Sequence, residues 1–89
     1  MNKTRKFEHL FSPVTIGTLK LRNRAVMPAM ATGYAGMDST PNDRLVEYLA
    51  RRARGGTGLI ITEVTAVTPR GKGFPNELGI WSDEFIIPL

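Results

Sequence analysis

The 89-residue chain contains no cysteine and a single histidine. Without cysteine there can be no disulfide staple, no thiolate metal site and no cysteine nucleophile. Nothing else in the sequence replaces such a staple, so the chain's stability in isolation is suspect. One histidine excludes a histidine-rich metal site and any triad that needs a second imidazole, and His9 reads as a surface residue of an N-terminal arm. No long apolar run is present, so a membrane span or secretory signal has no support and the default expectation is the cytoplasm. Acidic residues are outnumbered, 8 to 12, which leaves a net charge of +4 and raises the question of nucleic acid. Arg44, Arg51, Arg52 and Arg54 share one predicted helix, with Arg70 and Lys72 in a later loop. The aromatics Phe7, Phe11, Phe74, Trp81 and Phe85 lie elsewhere, and no recognition motif accompanies the charge. Arginine in a last helical turn also complements the macrodipole, so the basic face reads as a solvated helix.

What remains has ordinary globular composition, 42% hydrophobic and 22% charged. Val14, Ile16, Leu19 and Leu21 alternate around Gly17-Thr18, the pattern of a hairpin with a type II′ turn. Residues 24–27 form a short predicted strand that Pro28 ends by withholding a ladder donor. Residues 31–40 are a loop of small and turn-forming residues. Thr40 then reads as a helix N-cap, with Pro41 at the first helical position and Asp43 at the positive end. Leu45, Leu49 and Ala53 recur at four-residue intervals, Val46 and Tyr48 widen the stripe, and Gly55 is the expected stop. Leu59-Ile60-Ile61-Thr62 is apolar on both faces, as expected of a strand covered on both sides of a parallel sheet.

Strand, helix and strand make a βαβ unit with an expected right-handed crossover. The helix returns to the second strand through only residues 55–58, whereas the segments after each strand are long. Strand C-termini carry the sites of such folds, so the functional edge is expected at residues 28–34 and 63–79. Gly55-Gly56-Thr57-Gly58 follows a helix and precedes a strand, the reverse of a dinucleotide fingerprint, and Gly71-Lys72-Gly73 lacks the remaining residues of a P-loop. Glu63 ends an apolar strand, where a carboxylate is costly to bury unpaired. A structural ion pair and an acid–base role both remain open for it.

Four segments in order carry a family resemblance. Leu10-Phe11-Ser12-Pro13 with Ile16-Gly17 and Leu21-Arg22-Asn23-Arg24 resembles the N-terminal hairpin and first strand of the old yellow enzyme family of flavin oxidoreductases. Pro28-Ala29-Met30-Ala31-Thr32 is similar to that family's segment after strand one. The run from Arg52-Ala53-Arg54-Gly55 through Gly56-Thr57-Gly58 to Leu59-Ile60-Ile61-Thr62-Glu63 resembles its passage from first helix to second strand. Gly79-Ile80-Trp81-Ser82-Asp83-Glu84 resembles its approach to a second helix, for which Ser82 would be the cap. The branch containing 2,4-dienoyl-CoA reductases and related NADH:flavin oxidoreductases is the most similar.

The resemblance implies an α/β fold: the N-terminal portion of a TIM (β/α)8 barrel, comprising a β-hairpin, strand, helix, strand and the start of a second helix. Residues 1–89 would be an incomplete part of one FMN-binding domain. Implied with it are FMN, NAD(P)H as reductant and a small-molecule substrate with an activated alkene, an enone or enoyl thioester. Pro28, Ala29, Met30 and Ala31 would lie along the isoalloxazine, largely through backbone groups, and the backbone of Val64 would approach it from the second strand. Ala31 stands where relatives often have threonine, cysteine or histidine, and Val64 is bulkier than the common glycine or alanine. The family's catalytic residues belong to later strands, so no catalytic residue is assigned and the 89 residues alone are expected to be inactive. The alternative from another class is a small stand-alone binding module using the hairpin and basic helix.

Overall fold

The computed structural model describes residues 6–89. Strands β1 (Val14–Ile16) and β2 (Leu19–Leu21) form the expected antiparallel hairpin, with Val14 opposite Leu21 and Ile16 opposite Leu19. Gly17 turns it with φ 60°, in the left-handed region that a type II′ turn requires at its first loop position. Strand β3 (Val26–Met27) pairs in parallel with β4 (Leu59–Ile60), and helix α1 (Asp43–Arg54) connects them. The βαβ unit is therefore present, with strands shorter than the predicted 24–27 and 59–62. At the start of β3, the Ala25 amide turns to the Asn23 side chain; after it, Pro28 has no N–H to give. Leu59 and Ile60 are only half-buried and Ile61 is exposed, so β4 is not covered on both sides as its composition leads one to expect.

A further pair was not foreseen. Strand β5 (Thr65–Ala66) runs parallel to β6 (Leu78–Gly79), inside what reads in the sequence as a long loop. It is fastened to the earlier loop by Gly79 N–H donating to the Ser39 carbonyl at 2.9 Å. Gly79 is glycine because a Cβ there would stand 2.4 Å from the Trp81 ring. Trp81 packs edge-on against Phe85, with ring centroids 4.9 Å apart. Ser82 makes no side-chain capping bond, and the expected second helix is a single 3-10 turn, Asp83–Phe85.

Helix α1 begins two residues later than predicted. Asn42 is the N-cap, its Oδ1 accepting from Leu45 N–H at 3.0 Å. Thr40 is unavailable for that task because its hydroxyl and amide both donate to Asp38 Oδ1, at 2.7 and 3.1 Å. Pro41 accordingly precedes the cap. At the other end Gly55 keeps a right-handed conformation, and it is Gly56, at φ 119°, that reverses the chain. Only Leu45 on the helix is fully buried, in a cluster with Ala35 and Leu78 flanked by Tyr34 and Leu49. Val46 and Ala53, placed in the stripe by spacing, are exposed. The radius of gyration is 16.2 Å, against about 12 Å for a compact chain of this length. Among the described residues, β3 and β4 contribute no fully buried residue and lie outside the cluster of Ala35, Leu45 and Leu78.

The turn from α1 into β4 is held from the hairpin side. Arg22 donates to the carbonyls of Ala53 and Thr57, satisfying the helix C-terminus. Buried Asn23 donates to the Gly56 carbonyl at 2.6 Å and accepts from Ala25 N–H at 3.0 Å. Gly58 passes so close that a Cβ would be 2.4 Å from Asn23 Oδ1 and 2.5 Å from its carbonyl oxygen. Gly56 thus serves the reversal and Gly58 the close approach.

Candidate functional site

Because β3 and β4 are parallel, their C-terminal ends open on one edge. The last backbone bond across them runs from Ile61 N–H to the Met27 carbonyl at 3.0 Å. Beyond it the chains leave the ladder as Pro28, Ala29, Met30 and Ala31 on one side and Glu63 and Val64 on the other. Pro28, Ala29, Met30, Ala31 and Val64 are all exposed. The amides of Met30 and Ala31 have no hydrogen-bond partner among the described residues. Free donors at a strand end, two small alanines, and the apolar side chains of Met30 and Val64 make an edge that a flat, partly apolar ring with acceptor atoms could meet. The chemistry of the donor set thus fits a flavin. Ala31 adds no side-chain group, so any hydrogen bond from that position comes from its amide.

The two loops that form this edge are tied behind it. Thr32 donates its hydroxyl to Glu63 Oε1 at 2.7 Å, and the Thr32 hydroxyl oxygen in turn accepts from Tyr34 N–H at 3.1 Å. Glu63 is 4% exposed, and its Oε2 has no partner among the described residues. The carboxylate at the strand end is thus buried, and it meets a threonine hydroxyl and no arginine among the described residues. Thr65 fixes the Glu63 backbone, its hydroxyl donating to that carbonyl at 2.9 Å. Sequence reasoning missed Thr32, which lies 31 residues before its partner in a loop and carries no local signal of the pairing.

Tyr34 turns away from the edge toward α1. Its ring lies under the Arg44 guanidinium at 3.9 Å and edge-on to Tyr48 at 5.6 Å, and Arg52 stacks over Tyr48 at 3.7 Å. The basic helix face is therefore engaged in cation–π stacking, while Arg54 and Arg51 pair with Glu47. In the loop before the helix, the bonds from the Thr40 hydroxyl and amide, with Lys72 a smaller contributor, hold the Asp38 carboxyl below its ordinary value. The concavities lined by Trp81, Phe85 and Leu89, and by Leu45, Leu49 and Leu78, do not include the edge residues. Among the described residues, no three of His, Asp and Glu gather as a metal ion requires, and no helix is long and apolar enough to cross a membrane.

The chain is 46% identical over 81 residues to an NADH oxidase of Thermoanaerobacter brockii, covering 90% of this chain and 12% of that protein. It superposes on the old yellow enzyme from Trypanosoma cruzi with TM-score 0.83 and 36% identity, over 94% of this chain and 22% of that one. On 2-naphthoyl-CoA reductase in complex with 2-naphthoyl-CoA the TM-score is 0.88 at 27% identity, covering 91% of this chain and 12% of that one. The chain thus spans about a twelfth to a quarter of the length of the curated relatives it matches. A profile of the NADH:flavin oxidoreductase / NADH oxidase family matches residues 9–88, and the chain belongs to that family.

Proposed function

We propose that this chain forms part of the flavin-facing edge of an FMN-dependent oxidoreductase that passes hydride from NAD(P)H to an activated alkene, an enone or an enoyl thioester. The observation that carries the reading is the shared edge of β3 and β4, with amides that have no partner among the described residues and small or apolar side chains side by side. Ala29, Met30 and Ala31 would hold and orient the isoalloxazine through their backbone, since fixed amide donors cost no reorganisation as charge grows on the ring. Pro28 sets the direction in which the chain leaves the strand. Met30 and Val64 would cover the ring and exclude water from it. The architecture proposed is a (β/α)8 barrel, in which strand C-termini form the mouth, with residues 1–89 contributing the first strands and helix. The neighbouring reductase complexed with 2-naphthoyl-CoA supports a thioester among the substrate classes. The setting proposed is cytoplasmic, with small molecules and neither nucleic acid nor membrane as partners.

The test uses the protein purified from its source and loaded with FMN. Mixed without oxygen with NADH or NADPH and either cyclohexenone or crotonyl-CoA, it is expected to oxidise nicotinamide and consume alkene in equal amounts. Nicotinamide oxidation that neither alkene accelerates would refute the substrate class.

A further inference from the structure

The geometry points to Glu63 and Thr32 as positioning residues that set the spacing between the two flavin-facing stretches, an inference that rests on the function proposed above. Thr32 directly follows Ala31, and Glu63 directly precedes Val64. Their 2.7 Å hydrogen bond joins the loops at a place the backbone ladder no longer reaches, since that ladder ends at Ile61 N–H and the Met27 carbonyl.

Both ends of this tie are themselves anchored. The Thr32 oxygen accepts the Tyr34 amide, and Tyr34 is locked into the stack with Arg44 and Tyr48 on α1. The Glu63 carbonyl accepts the Thr65 hydroxyl at the start of β5. A shift of either loop would therefore have to move the helix or the second parallel strand pair. The residue types argue in the same direction. A buried carboxylate with one oxygen unpartnered among the described residues loses more hydration than a single hydroxyl donor returns. An apolar pair at these positions would serve stability better, so the carboxylate is explained by placement. A planar ring touching two separate loops tolerates only small errors in their separation.

The experiment compares Thr32→Val, which keeps shape and removes the hydroxyl, with Thr32→Ser, which restores it, in the complete flavin-loaded protein. FMN affinity is read by fluorescence quenching, the flavin visible band by absorbance, and unfolding by circular dichroism. Thr32→Val is expected to weaken FMN binding about tenfold and to shift the visible band, the scale seen when a group supporting a ligand contact is removed. Thr32→Ser is expected to restore both. Should Thr32→Val fail to fold, Glu63→Ala is expected to give the same loss. A folded variant with lowered thermal stability but wild-type FMN affinity and spectrum would overturn the inference, because a purely structural tie behaves that way. A wild-type protein that takes up no FMN is a separate failure, overturning the functional reading and this inference with it.

Discussion

Alanine at position 58 should be among the most damaging conservative changes in the chain. The added Cβ would lie 2.4 Å from Asn23 Oδ1, 2.5 Å from the Asn23 carbonyl oxygen and 3.1 Å from its carbonyl carbon. Turning the Asn23 side chain relieves only the first of these, so the backbones of residues 23 and 58 must separate. Three hydrogen bonds are then at risk: Asn23 Nδ2 to Gly56, Ala25 N–H to Asn23, and Gly58 N–H to Ala25. At about 1 kcal/mol each the loss is about 3 kcal/mol, at the top of the usual range for overpacking. With a urea dependence of roughly 1–2 kcal/mol per molar, the unfolding midpoint falls by about 2 M. Gly71→Ala is the control, since its Cβ meets only the Thr68 hydroxyl oxygen at 3.2 Å, and it is expected to cost below about 1 kcal/mol. Asn23→Ala combined with Gly58→Ala should cost less than the sum of the two, because both remove the same bonds. A Gly58→Ala loss no greater than that of Gly71→Ala, or strict additivity with Asn23→Ala, would refute the reasoning.

Other outcomes are expected. Asn42→Ala removes the N-cap bond to Leu45 and should destabilise by about 1 kcal/mol in a urea titration, whereas Thr40→Ala should leave helix content unchanged. Asp38 titrates below its ordinary 3.8 in the folded state because Thr40 donates to it twice. Its contribution is therefore fully present above the unfolded value and is lost as pH falls through the lower folded value. Thr40→Val should raise the Asp38 carboxyl toward 3.8 in an NMR titration, and an unchanged value would contradict the assigned cause. Leu45→Ala, in the buried cluster with Ala35 and Leu78, is expected to cost about 2–5 kcal/mol by chemical denaturation. Ala31→Trp would fill the edge of β3 and should abolish FMN uptake without lowering the unfolding midpoint.

The hairpin, the helix and the parallel strands flanking it were legible because each has a local cause: Gly17 at the turn, the Leu45–Leu49 spacing, the β-branched run after Gly58. The cap was misplaced because Thr40 and Asn42 are both good caps, and the choice between them is made by Asp38, which takes the threonine hydroxyl. Ala53 and Val46 fit the helical period but are exposed in the structure of the described residues, and periodicity cannot report that. Strands β5 and β6 have two residues each and no alternation to reveal them; their pairing depends on contacts such as that between Gly79 and Ser39. Glu63 could be singled out from its place at a strand end. Its partner could not, because Thr32 is brought to it only by the parallel pairing of β3 with β4. The candidate edge itself, Pro28 through Ala31 with Val64, came from family resemblance joined to the rule that strand C-termini carry the site.

The central claim is that this edge meets FMN, and native mass spectrometry of the protein purified from its source tests it most directly. Chain mass and bound small molecule are recorded together, before and after addition of FMN. One FMN per chain, lost in the Ala31→Trp variant, is the expected result. A protein that carries no flavin even after incubation with excess FMN would contradict the account.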